Sequence, residues 1–136
     1  MASIGKPLPR IDEESRGWFE GLARHELWLE RCGSCGTIRF YPRAVCTVCL
    51  SSEVVWERAS GRGTVYTFTV TYQNQAAGFR DQLPYVFAIV ELAEGVRVVT
   101  NVVDCAPDAV RIGMPVEVVF DDVTPEITLP KFRPVP

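Results

Sequence analysis

Four cysteines offer the most definite chemistry in the chain. Cys32 and Cys35 form one C-x2-C pair, Cys46 and Cys49 a second, and ten residues separate the pairs. That spacing lets two tight turns face each other and bring four thiolates around one ion. Zinc would take all four sulfurs tetrahedrally at about 2.3 Å, leaving no position open for a reactant, so the ion would be structural. Gly33 and Gly36 ease the tight backbone of the first turn. Iron in the same set would make an electron carrier, and disulfides are a third arrangement; the paired spacing favours zinc. A metal staple replaces the apolar core that a segment of roughly thirty residues cannot build.

Little else in the chain resembles a reaction centre. A nucleophile needs a base nearby, yet the single histidine, His25, lies far in sequence from the fifth cysteine, Cys105. No catalytic residue is therefore nominated. Cys105 reads as a small buried apolar group, and all five cysteines are expected to be reduced. His25 reads as a helix C-terminal residue favoured by the dipole. Asp121 and Asp122 diverge after a strand and read as a solvated turn. Arg39, Arg43, Arg58 and Arg62, near the cysteines, could meet phosphates through bidentate hydrogen bonds; singly, each reads more readily as a solvated surface arginine. The net charge of −3 argues against non-specific grip on a nucleic acid, and residues 81–126 carry nine acidic groups against Arg97 and Arg111. An anionic small molecule remains compatible with the arginines.

The elements that would position these groups follow from pattern. Residues 1–11, with Pro7 and Pro9, read as an extended arm ordered only against something else. Asp12 can cap a helix to about His25, with Trp18, Phe19 and Leu22 on one face; Gly17 and Gly21 weaken it, so that face needs a surface, either the chain's own core or a partner subunit. Short strands are predicted at Leu27–Arg31, Ile38–Tyr41 and Val54–Arg58. From Thr64 the period becomes two, with Tyr66, Phe68, Val70 and Tyr72 on one face. Tyr85–Leu92 and Val96–Val103 form a hairpin across Ala93–Gly95, Val116–Phe120 adds a strand, and Leu129–Val135 is confined by Pro130 and Pro134 to an edge. The long connection Gln73–Pro84, holding Phe79, is the kind of loop that carries function.

The 136 residues, 47% apolar and 23% charged, suit a small globule. No run of about 18 apolar residues and no secretory leader is evident, so no membrane association and a cytoplasmic location are the expectation. The fold expected is mainly β: an arm and helix over 1–26, a four-cysteine zinc ribbon over 27–60, and an OB-fold barrel over 61–136. The rival function for such a barrel is stacking of single-stranded nucleic acid on its aromatic residues, which the acidic barrel half disfavours.

From Trp18 to Pro134 the chain resembles the DUF35 family, proteins with an N-terminal helix, a rubredoxin-like zinc ribbon and an OB-fold. The resemblance rests on Cys32-Gly33-Ser34-Cys35-Gly36, Tyr41-Pro42-Arg43 before Cys46-Thr47-Val48-Cys49, Gly61-Arg62-Gly63-Thr64-Val65-Tyr66, Pro84-Tyr85, Glu91-Leu92 with Gly95-Val96-Arg97, Ile112-Gly113-Met114-Pro115-Val116 and Leu129-Pro130-Lys131-Phe132-Arg133-Pro134. Thr47 stands where the family often has Pro. The resemblance implies a non-catalytic subunit, with structural zinc, that pairs in a hetero-oligomer with a thiolase-superfamily enzyme acting on acyl-CoA, such as a steroid side-chain aldolase, a thiolase or an acyltransferase. Trp18, Phe19 and Leu22 would then dock the enzyme, while the arginines and Phe79 would border bound acyl-CoA.

Overall fold

The computed structural model describes residues 6–136. A turn over residues 13–15 is fixed by reciprocal bonds between Asp12 and Ser15, at 2.9 and 3.0 Å, and leads into the only α-helix among these residues, α1, Arg16–Ala23. Asp12, expected to cap the helix, instead closes the turn before it; the N-cap is Ser15, without a side-chain bond, and the regular helix is two turns long. It ends with the Glu26 amide on the Gly21 carbonyl and the His25 amide on the Leu22 carbonyl, which puts His25 in the left-handed conformation at φ 60°. Among the described residues no helix is long and apolar enough to cross a membrane.

Three strands follow: β1 (Trp28–Cys32), β2 (Ile38–Arg39) and β3 (Val54–Arg58), in the order β2-β1-β3, all antiparallel. α1 packs on this sheet. A Cβ on Gly17 would come within 2.6 Å of the Trp56 ring, and one on Gly21 within 2.5 Å of the Trp28 ring. The glycines that weaken the isolated helix are what let two tryptophans lie against it.

β4 (Arg62–Thr71), β5 (Tyr85–Leu92), β6 (Arg97–Val102), β7 (Pro115–Asp122) and β8 (Thr128–Pro134) close a barrel in the order β4-β5-β6-β8-β7, the predicted OB-fold. Its interior is built from alternate residues, among them Val65, Val90, Val98, Val116 and Phe132. The core is continuous from Trp18, Phe19 and Leu22 through Leu27 and Leu29 into the barrel.

Two expectations about the strands need correction. A bulge between Val65 and Thr67 shifts the alternation, so Tyr66 points outward, 45% exposed, while Phe68 and Val70 turn inward. Outside, the Arg97 guanidinium lies 3.8 Å from the Tyr66 ring centroid. β8 is not an edge strand, for it pairs with β7 along its whole length and meets β6 at Val102–Phe132. Its prolines sit on a seam where the second partner scarcely bonds.

Candidate metal centre and barrel cavity

The two C-x2-C turns are near copies of each other. Cys32 donates its amide to Thr37 O and Cys46 donates to Ser51 O, both at 2.8 Å; Gly36 and Leu50 each donate to the carbonyl of the first cysteine of their turn, both at 3.0 Å. Each turn therefore needs a left-handed residue at the same place. Gly36 supplies it in the first at φ 77°, but in the second it is Leu50 at φ 66°. Ser34 and Ser51 hydroxyls, 2.8 Å apart, tie the turns together.

This geometry gathers the sulfurs. All four Sγ atoms lie within 4.8 Å of one another, with Cys32–Cys49 at 3.5 Å and Cys35–Cys46 at 3.7 Å. A tetrahedron with metal–sulfur bonds of about 2.3 Å has edges of about 3.8 Å. Amides of Ser34 and Cys35 point at Cys32 Sγ, and that of Val48 at Cys46 Sγ, all at 3.4 Å. The Cys35 and Ser34 amides draw the Cys32 pKa down to about 6, and those of Cys49 and Val48 lower that of Cys46. At Cys49 the Ser51 amide pulls downward, but Cys32, burial and the remaining thiols prevail and raise the value to about 11. Four sulfurs this close cannot all shed protons unless a cation sits among them, and amide-supported thiolates suit that cation. The donor set fits one soft tetrahedral ion and offers it no fifth protein ligand among the described residues.

The predicted arginine patch does not form. Arg39 is buried, its Nε 2.8 Å from Glu30 Oε1 and its Nη2 on the Arg43 carbonyl. Glu30 also accepts the Arg43 amide at 2.9 Å, and Glu14 the Ala44 amide at 2.8 Å, so Arg39 serves to pin the 41–44 loop. The Arg43 guanidinium turns back to the Pro42 carbonyl and over Tyr41. Arg58 pairs with Glu26 at 3.5 Å, and Arg62 is exposed at the start of β4. Ion pairing consumed charges that the sequence leaves looking free. Trp18, Phe19 and Leu22 are buried in the chain's own core, Trp18 with its ring centroid 4.7 Å from that of Phe40, so their side chains are not presented outward.

Of the nominated ligand residues, Phe79 reaches the larger of two cavities. A space of about 820 Å³ opens at one end of the barrel, walled by Phe79, Gln82 and Pro84 of the 73–84 loop, by Tyr85, Val119, Phe120 and Leu129, and by Asn101, Cys105 and Lys131. Lys6 and Pro7 of the arm close one side, the Lys6 ammonium lying 4.9 Å from the Phe79 ring centroid and donating to Gln82. None of the four arginines lines this space. Burial, then Asp104, raises the Cys105 pKa, so its thiol adds no charge to the wall. A smaller apolar cleft of about 550 Å³ lies where α1, the 40–43 loop and the barrel meet, bordered by Trp18, Phe40, Tyr41, Arg43, Val99 and Pro130.

One contact that sequence reasoning missed joins the helix to the barrel. His25 Nε2 lies 3.0 Å from both carboxylate oxygens of Asp122, whose Oδ1 also accepts the Thr128 hydroxyl at 2.6 Å, and the His25 ring stacks on Phe120. Asp122 is thus a bonded partner rather than a freely solvated turn residue. No local pattern links positions so far apart.

Residues 19–55 match the rubredoxin-like zinc ribbon domain of ChsH2, and residues 56–121 match the ChsH2 C-terminal OB-fold domain. A DUF35 domain-containing scaffold protein of Methanocaldococcus jannaschii is 42% identical over 106 residues, covering 77% of this chain and 74% of that protein. Another, from Pyrococcus furiosus, is 32% identical and matches over 97% of both chains. The chain belongs to the DUF35 family. It is also 41% identical, over 95% of its length, to a probable enoyl-CoA hydratase alpha subunit of Thermomonospora curvata, of which it spans 40%. A solved chain described as Ltp2-ChsH2(DUF35) aldolase superposes with a TM-score of 0.85 at 41% identity, over 93% of this chain and 98% of that one.

Proposed function

We propose, taking membership of the DUF35 family as the premise, that this chain is a zinc-stapled partner subunit of a thiolase-superfamily enzyme, whether aldolase, thiolase or acyltransferase, that works on acyl-CoA. In this reading Cys32, Cys35, Cys46 and Cys49 hold the zinc, which supplies no chemistry beyond cross-linking. The observation that carries the reading is the match over nearly the whole chain to the DUF35 chain of an aldolase. A relative named as a benzoylsuccinyl-CoA thiolase subunit from Geobacter metallireducens supports the thiolase class, and relatives named as CoA hydratase alpha subunits support acyl-CoA substrates. Steroid or other lipid catabolism is the setting proposed from the name of a pregnadiene-carboxyl-CoA hydratase relative, and the cytoplasm is the proposed location. The division into residues 1–26, 27–60 and 61–136 belongs to this reading.

The partner's docking surface shifts under this reading from the buried helix face to the second cysteine turn, where Val48 is 67% and Leu50 75% exposed, with Val45 beside them. Exposed apolar side chains on a metal-fixed turn suit a permanent interface. The 73–84 loop, with Phe79, borders the path of the acyl chain. The test is a pull-down of the tagged chain from its own host, with mass spectrometry of partners and metal analysis. Recovery of a thiolase-superfamily protein with one zinc per chain is the expected result, with the Val48→Asp variant losing the protein but not the zinc. Recovery of the chain alone, or with nucleic acid, would overturn the reading.

A further inference from the structure

The barrel-end cavity contains a half-buried cation with no ion-pair contact among the described residues. Lys131 projects from β8 and is half-buried. Its ammonium donates to Asn101 Oδ1 at 2.7 Å, and that amide is oriented by its own bond to the Val86 carbonyl at 2.9 Å. An ammonium has three donors, and this is the one side-chain bond that Lys131 makes among the described residues. Among the described residues no carboxylate lies within ion-pair distance of it, whereas most arginines near the ribbon are paired. Desolvation lowers its pKa, with Asp121 acting in the opposite sense and Lys6 adding to the lowering. A desolvated cation without a counter-ion is costly, and an anion placed beside it removes that cost through charge-assisted bonds.

The surroundings define what else the ligand must carry. Phe79, Tyr85, Phe120, Val119 and Leu129 provide broad apolar walls. A volume of about 820 Å³ falls in the range of small-molecule pockets. Lys6 and Lys131 face the space, but so do Asp104 and Asp121, so each added negative charge meets more repulsion and a single group bonded to Lys131 is favoured over a polyanion. Arg133 is already bound to Glu117 at 2.9 Å.

We infer that the barrel-end cavity binds an apolar molecule, or the apolar end of one, that carries a single anionic group, carboxylate or phosphate ester, and that Lys131 recognises this group. This goes beyond the partner-subunit reading, because the site lies within this chain and needs no second protein. Both could fail independently: the pull-down tests the partner, and binding to the isolated chain tests the cavity.

The experiment titrates the zinc-loaded full chain with dodecanoate, dodecyl phosphate and dodecanol by calorimetry, in the wild type and in Lys131→Met, Lys131→Arg and Phe79→Ala. One saturable site is expected, preferring the anions to the alcohol. Lys131→Met should weaken the anions by about tenfold or more while sparing dodecanol, as loss of a charge-assisted bond implies. Lys131→Arg should restore most of the loss, which shows that the charge and not the fold was removed. Phe79→Ala should weaken all three probes. The stronger of the two anions identifies the head group. Equal binding of dodecanol and dodecanoate, an unchanged affinity in Lys131→Met, or the absence of saturable binding would each overturn the proposal.

Discussion

The ribbon and the barrel reach their folds by different physics. The barrel, 62–134, closes a sheet on itself and fills it with Val65, Val90, Val116 and Phe132, all at most 1% exposed. The ribbon has one two-residue strand and two of five residues, and the second cysteine turn carries its apolar side chains outward. What it lacks in buried area it makes up with four sulfurs and with the tryptophans against α1. The lesson is that metal and apolar packing are interchangeable as sources of order, but only the first can be removed by a chelator.

That difference can be broken most sharply at the cysteines. Replacing Cys46 with Ser should abolish stoichiometric zinc and unfold the ribbon, since structural zinc sites contribute on the order of 10 kcal/mol to such modules. All three tryptophans, Trp18, Trp28 and Trp56, lie in the helix and ribbon and none in the barrel. Tryptophan fluorescence should therefore shift to that of exposed indole while far-ultraviolet circular dichroism keeps its strand signal. Next in size is Phe132→Ala, which should cost about 3–5 kcal/mol by cavity formation. Its effect should appear in chemical denaturation as early loss of the strand signal.

Smaller effects refine the contrast. Gly17→Ala should cost roughly 1–3 kcal/mol, because the new Cβ meets the Trp56 ring; the midpoint of a tryptophan-detected denaturation curve reads this. Leu50→Gly should stabilise the zinc-loaded chain by about 1 kcal/mol, since a β-carbon is unfavourable at its left-handed φ. A rise in thermal midpoint would show it, and under the docking reading the same change should weaken partner capture. The smallest effect is the pH dependence of the His25–Asp122 clamp. The Thr128 hydroxyl, then His25, lowers the Asp122 pKa, so its stabilisation is present above the unfolded value of about 3.9 and fades as pH falls through the lower folded value. Comparing thermal midpoints of wild type and Asp122→Asn between neutral and acid pH should show the gap narrowing toward acid.

Much of this architecture could be read from residue order. β3 and β5 fall where alternation places them, and paired cysteines at fixed spacing are a local signal of a local structure. The exceptions are nonlocal. Tyr66 faces outward because of a bulge at the β4–β5 pairing, which the period of β4 alone cannot reveal. Arg39 was misread because its partner, Glu30, lies across a strand pair and both bond the backbone of the 41–44 loop. Leu50 looked like any apolar residue after a cysteine, although its equivalence to Gly36 was available from aligning the two turns. Lys131 drew no notice because a lysine's burial depends on what the 73–84 loop and the arm place around it.

The seam between β6 and β8 has one further consequence. Only Val102 and Phe132 are matched in that ladder, so the β8-facing side of β6 before Val102 runs on with few partners. An unsatisfied strand side is where another molecule's strand can add, and continued addition leads to aggregates. β8 answers with Pro130 and Pro134, residues that have no amide hydrogen to offer, and the Thr100 hydroxyl reaches across to bond the Pro130 carbonyl at 2.9 Å. The prolines that seemed to mark the end of a sheet thus help keep the sparsely bonded seam of a closed barrel from recruiting its neighbours at high concentration.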